Sequence, residues 1–309
     1  MRRVLIVYNL RSSRFKDVKA EVLDVLSDPA AMHKMGLNGV MVGKYEVKRT
    51  NIEDNVAQLA KVIRDGDLLL AVGGDATAAI AANSILTASK DATLAVLPYG
   101  NFNDLARTLK TKKLKDVFSS KAAKLWPLEI MVDGEHFRFA TCYVTIGMMA
   151  EATELFDNKK VRKHLQKGRK SSWRSYPQLA GWYFKNRHKK VFLPEFSLNG
   201  NLQPKKTSDY TAVNGRLMAK VMKGGMWFLG SENFWSGTGR LTNFFRLSNL
   251  MAKSILHRVP GKTTKRDVLE FVEPARVEIQ AEGEYKLFEN VNKIEIKKAK
   301  QYLKVIINL

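Results

Sequence analysis

Cysteine is almost missing from this chain of 309 residues; Cys142 stands alone. An intramolecular disulfide and a zinc site of clustered thiolates are therefore excluded, and a reducing cytoplasm is the expected compartment. Long apolar runs are missing as well. Stretches such as Leu68–Val72 are strand-sized, far short of the roughly 18 residues of a membrane span. Met1-Arg2-Arg3 followed by Val4–Tyr8 is too short in apolar residues for a signal peptide and reads as a first strand. Acids are scarce beside bases, 30 against 52, and the net charge is +22. That excess points to polyanions: an anionic leaflet, nucleotides or nucleic acid. The five histidines are scattered, with no spacing for a metal site or a triad. Lys262-Thr263-Thr264 follows Gly261 but lacks the upstream glycine spacing of a P-loop, and no internal repeat is visible.

What is present is an alternation of strand and helix over the first third. Arg3–Tyr8, Tyr45–Lys48, Asp67–Val72 and Thr93–Leu97 read as strands. Phe15, Val18, Val22, Val25 and Leu26 recur at helical spacing. So do Ile52, Val56, Leu59 and Ile63, after the capping pair Thr50-Asn51. Such alternation implies βαβ units and a mainly parallel sheet, with ligands beyond the carboxyl ends of its strands. From about Trp126 the texture changes. Leu128–Val132, Phe137–Ile146, Tyr210–Val213, Leu217–Val221 and Arg276–Gln280 read as strands, with Asp133-Gly134 as a hairpin turn. Lys293–Lys297 and Tyr302–Ile307 close the chain. The expected organisation is α/β over residues 1–125, with 299–309 as an added piece. A mostly antiparallel β-rich domain follows over 126–298, with a basic helical insertion at 155–190.

Two turns carry the chemistry. In the first, the strand from Asp67 runs into Gly73-Gly74, and Asp75 and Thr77 open a helix. Glycine lets a backbone approach phosphate closely, and a helix N-terminus offers unbonded N–H groups to an anion. Asp75 is placed to orient a magnesium ion through water and Thr77 to donate to a phosphate oxygen; a plain strand-to-helix turn capped by Asp75 would look the same. The second turn, Pro98 to Arg107, also leaves a short strand and opens a helix. Its Gly100, Asn101, Asn103 and Asp104 offer ligands to ribose, phosphate or a metal-bound water, or merely a helix cap.

Gly73-Gly74-Asp75-Ala76-Thr77 resembles the Gly-Gly-Asp-Gly-Thr motif of the diacylglycerol kinase catalytic family, whose superfamily includes sphingosine kinases and NAD kinases. Pro98–Arg107 resembles the family's Pro-x-Gly-Thr-x-Asn-Asp-x-Ala-Arg, and Asn9–Ser13 its first-strand turn Asn-Pro-x-Ser-Gly. Val277–Glu284 is similar to its strand and turn ending Asp-Gly-Glu. The resemblance implies an NAD-kinase-like α/β domain followed by a β-rich domain. It implies ATP and magnesium as cofactors and transfer of the γ-phosphoryl group to the hydroxyl of a diacylglycerol-like lipid. Glu284 matches the proton acceptor, with Glu282 orienting it or the metal and Asp75 organising the metal–water network, so the resemblance makes all three catalytic. Asn9, Ser12, Thr50, Gly73, Gly74, Asp75, Thr77, Gly100, Asn101, Asn103 and Asp104 fall at nucleotide-binding positions. Departures are Ala76 for glycine, Asn101 for threonine, Leu10 and Ser13 for proline and glycine, and Glu282 for aspartate. The stretch Gly230–Thr242 has only Glu232 as an acid, so no second metal site is expected there.

Between Lys159 and Lys190 twelve cations follow one another with no acid between them, interleaved with Trp173, Tyr176, Trp182, Tyr183 and Phe184. Cations near an anionic leaflet contribute about 1 kcal/mol each, and Trp and Tyr favour the interface. The expected partner is therefore an anionic membrane surface, placing the protein peripherally at the inner face of the membrane; nucleic acid is the weaker alternative. A homodimer is compatible with the sequence. Trp227, Phe228, Phe234, Trp235, Phe244 and Phe245 read as core or as an acyl-chain cleft. The competing readings are an NAD kinase-like enzyme and an impaired homologue that only binds membrane or RNA.

Overall fold

The computed structural model describes residues 3–12, 14–48, 50–150, 181, 192–215, 231–240, 246, 249, 261–282 and 284–308. Packing divides the chain into two units. One is chiefly Met1–Pro127 with Ala299–Leu309, the other chiefly Leu128–Phe228 with Glu232–Lys298.

The first unit is built on a six-stranded sheet of β1 (Arg3–Tyr8), β2 (Met41–Glu46), β3 (Asp67–Gly73), β4 (Thr93–Pro98), β5 (Lys121–Leu125) and β16 (Leu303–Ile307), in the order β2-β1-β3-β4-β16-β5. All pairings are parallel except β5 on β16. The last strand of the chain thus returns to the N-terminal sheet. β3 is buried at every position, as expected of a parallel strand covered on both faces. Its helices are α1 (Phe15–Val18), α2 (Pro29–Lys34), α3 (Ile52–Ala60), α4 (Asp75–Ala88), α5 (Asp104–Thr108) and α6 (Leu114–Ser119). Three expectations shift here. The second strand is Met41–Glu46, not Tyr45–Lys48; it is a half-exposed edge strand without an apolar run, and its position is set by pairing with β1. The segment from Phe15 to Ser27 is not one helix. It runs from α1 through a π-helical turn into a 3₁₀ turn, still burying Val18, Val22 and Leu26. The second helical face ends with α3 at Ala60, so Ile63 is buried from the turn that follows.

The second unit carries a ten-stranded sheet. Its strands are β6 (Leu128–Val132), β7 (Glu135–Ala140), β8 (Tyr143–Gly147), β9 (Phe196–Leu198), β10 (Asn201–Leu202), β11 (Asp209–Val213), β12 (Phe234–Gly239), β13 (Lys262–Thr264), β14 (Arg266–Ala281) and β15 (Glu284–Lys298). Every pairing in it is antiparallel. Asp133 and Gly134 both take positive φ between β6 and β7, the hairpin geometry that this dipeptide favours. Phe137–Ile146 is not one strand; the chain turns at Thr141-Cys142 between β7 and β8. Phe234 and Trp235 are buried on β12. Leu217–Val221, most of the second aromatic cluster and the basic run, except Gly181, lie outside the described residues. Among the described residues no helix is long and apolar enough to cross a membrane.

Candidate active site

In a parallel sheet the turns after successive strands leave by one edge, and the turns after β1, β2, β3 and β4 do so here. After β1, the Asn9 carboxamide accepts the Arg11 N–H at 2.9 Å, and Ser12 Oγ donates to Tyr99 O at 3.1 Å. Arg14 donates to Pro98 O at 3.3 Å and lies over the Tyr99 ring at 5.0 Å. The Tyr99 hydroxyl donates to Glu21 at 2.6 Å; burial first, then that carboxylate, holds the phenol well above its ordinary value. The first turn is thus fastened to the turn after β4.

The two glycine turns meet. A Cβ on Gly100 would stand 2.1 Å from the Gly74 Cα, and one on Gly73 2.5 Å from the Thr77 hydroxyl. Here glycine is required by close approach, whatever the φ. The Asn103 side chain braces Gly100 from both sides. Its Oδ1 accepts the Gly100 N–H at 2.8 Å and its Nδ2 donates to Gly100 O at 2.7 Å, with Asn103 itself at φ 57°. Asp75 spans the gap. One oxygen accepts the Asn103 N–H at 2.9 Å and the other the Asp104 N–H at 2.7 Å. Asp75 therefore opens α4 while its carboxylate caps α5, and the two helix starts are held side by side. Burial pushes the Asp75 carboxyl up, against the pull of these amides. Asp104 and Thr77 are buried beside it, and Asn101 is half-buried at the start of the turn.

Among the described residues no three His, Cys, Asp or Glu gather into a metal site. Asp75 is the carboxylate at the meeting of the two turns, and magnesium is commonly held by one or two carboxylates, waters and the substrate's own phosphates.

In the second unit Ala281 pairs with Glu284, so Glu282 sits in a two-residue hairpin turn, at φ 54°. Glu282 is 4% exposed, and its Oε1 accepts the Thr141 hydroxyl at 2.5 Å and the Cys142 N–H. Asn214 Nδ2 donates to Thr141 O at 2.9 Å, and Lys298 donates to Asn214. Glu282 is thus an anchor that ties the β14–β15 hairpin to the β7–β8 turn. Glu284 is half-buried at the first position of β15.

Sequence reading missed several of these partners. Asn55 could have been found, because it falls on the buried face of α3 among Ile52, Val56 and Leu59. Tyr99 with Glu21, and Thr141 with Glu282, carry no local signal. They lie 78 and 141 residues apart.

Residues 3–131 match the family model of the diacylglycerol kinase catalytic domain. Over this segment the chain is similar to the diacylglycerol kinase catalytic family. Both glycine turns lie within the diacylglycerol kinase match, and Glu282 and Glu284 lie beyond it. No curated protein matches the sequence significantly. Among solved structures, one from Bacillus anthracis described as a candidate diacylglycerol kinase superimposes with a TM-score of 0.66 at 15% identity, covering 99% of this chain and 97% of that one. Another from the same organism, described as a diacylglycerol kinase, gives a TM-score of 0.64 at 13% identity, covering 99% and 97%. Likeness at such identity concerns the fold, which is that of diacylglycerol kinase structures.

Proposed function

We propose that the protein is an ATP-dependent lipid kinase acting on the hydroxyl of a diacylglycerol-like lipid. The observation that carries this reading is the clamped pair of glycine turns, Gly73–Asp75 and Gly100–Asp104, inside the segment that matches the kinase family. Gly73, Gly74 and Gly100 bring bare backbone to the phosphates, and the start of α4 offers N–H groups to them. Asn9, Ser12 and Thr50 lie in the flanking turns. Asp75 would hold magnesium through water; when bound, the ion neutralises charge on the phosphoryl oxygens. In the reaction the lipid hydroxyl oxygen bonds the γ-phosphorus as the bond to the β–γ bridging oxygen breaks, ADP leaves, and Glu284 takes the hydroxyl proton. Asn103 and Glu282, whose side chains are occupied in holding turns, act by position. The basic run at 159–190 would hold the protein on an anionic leaflet through its positive charge, an attraction that salt screens.

Incubation with radiolabelled ATP, magnesium and mixed micelles of diacylglycerol, sphingoid base or polyprenol tests this. Labelled lipid is the expected product. Label in NAD instead would make the chain an NAD kinase, and absence of saturable ATP binding would leave only a binding module.

A further inference from the structure

Asn55 is 1% exposed on α3, where helical periodicity calls for an apolar residue. Burying a carboxamide is costly unless its groups are bonded; here, besides a 3.4 Å bond from the Tyr45 hydroxyl on β2, they serve the turn after β2. Oδ1 accepts the Lys48 N–H at 2.8 Å. Nδ2 donates to Asn51 O at 2.9 Å and to Thr50 Oγ1 at 3.0 Å. The last bond fixes a polarity. A hydroxyl has one proton and two lone pairs. Since Thr50 Oγ1 accepts from Asn55, its proton is left to be donated elsewhere. Thr50 is exposed, at the sheet edge where the turns after β1, β3 and β4 emerge. An aspartate at position 55 would still accept from Lys48 but would draw the Thr50 proton inward.

We infer that Asn55 is a positioning residue that presents Thr50 as a hydrogen-bond donor to an anionic oxygen of the nucleotide. This rests on the reading that the edge binds ATP. The test is carried out on the full chain, with direct ATP titration and lipid-kinase kinetics for the wild type, Asn55→Asp, Thr50→Val, Thr50→Ser and the double variant Asn55→Asp/Thr50→Val. Loss of a hydrogen bond to a charged group should raise the Kd and KM for ATP about tenfold or more in Asn55→Asp and in Thr50→Val, leaving kcat nearly unchanged. Thr50→Ser should bind as the wild type, and the double variant should bind no worse than either single one, because both remove the same bond. Additive losses overturn the inference, as does wild-type affinity in Asn55→Asp or Thr50→Val. If Asn55→Asp does not fold, NMR of the wild-type Asn55 carboxamide decides. Its resonance should move on adding ATP in the wild type and stay still in Thr50→Val; a resonance indifferent to ATP in the wild type overturns the inference. A wild type that binds no ATP at all marks failure of the nucleotide reading itself, and the inference falls with it.

Discussion

The turn after β3 and the hairpin between β14 and β15 both place a carboxylate on donors of a distant turn, two backbone N–H groups for Asp75 and one N–H and one hydroxyl for Glu282, but they use it differently. Asp75 holds together two turns that themselves form the candidate nucleotide site. Glu282 anchors a hairpin whose neighbouring residue, Glu284, carries the proposed chemistry. In the first unit the holder sits inside the site. In the second, holder and actor are separate residues. An acid in a motif is therefore not a reactive acid until its hydrogen bonds are counted.

The sharpest separation is between the two glutamates. Glu284→Gln should lower turnover by roughly 10²–10⁴-fold, the usual range for proton transfer. ATP affinity should hold. Glu282→Gln should act mainly on stability. Lipid-kinase rates beside ATP titrations check this, and the reverse ranking would make Glu282 the base. Gly100→Ala comes next. Its methyl would overlap the Gly74 Cα, and overpacking of this kind costs about 1–3 kcal/mol. The turns must part to accept it, so ATP affinity should drop by about tenfold or more at that cost, as calorimetry would show. Nucleotide binding as in the wild type would separate the paired turns from the site.

Third are the holders themselves. In Asp75→Asn one of two accepting oxygens becomes an NH₂, and facing a donor with a donor costs about 1–3 kcal/mol; Glu282→Gln can keep its carbonyl oxygen on Thr141 and Cys142 as a neutral, weaker acceptor and should cost less. Denaturant unfolding measures both. The comparison predicts that Asp75→Asn also weakens ATP binding and Glu282→Gln does not.

Much of the architecture was legible because its signals are local. β3 reads as an unbroken apolar run, as buried parallel strands do. Asn51 caps α3 through the Asp54 N–H at 2.7 Å, three residues away. The edge strand β2 left no apolar run to read. Of the long strand β14, only Arg276–Gln280 was visible. Its first half carries Glu270, Glu273 and Pro274 across a register shift between Glu270 and Ala275. The site was legible as motifs and not as roles. Asp75, Asn103 and Glu282 stood out as polar residues in glycine turns, but what they hold follows from hydrogen bonds that no periodicity encodes.

The smallest effect expected is on pH dependence in the second unit. Asp209 is buried, with Met149 N–H at 2.6 Å and Ser208 Oγ at 2.5 Å donating to it. Burial outweighs these bonds and pushes its pKa up to about 6. The raised value means that the fold favours the protonated form. This contribution is whole below an unfolded value of about 3.9 and lost as pH rises through about 6. Asp209→Asn keeps the acceptor for Met149 and offers a donor to Ser208. It should flatten the unfolding profile between those pH values and add about 1–2 kcal/mol at neutral pH. An unchanged slope would place the titration elsewhere.

The central claim is that the clamped glycine turns of the first unit bind the nucleotide. Amide hydrogen exchange with and without ATP and magnesium tests it directly. The account predicts slowed exchange at Gly73–Thr77 and Gly100–Leu105, with the turns at Asn9–Ser12 and Lys48–Asn51 following. Slowing confined to other segments, with Gly73–Thr77 and Gly100–Leu105 unaffected, would contradict it.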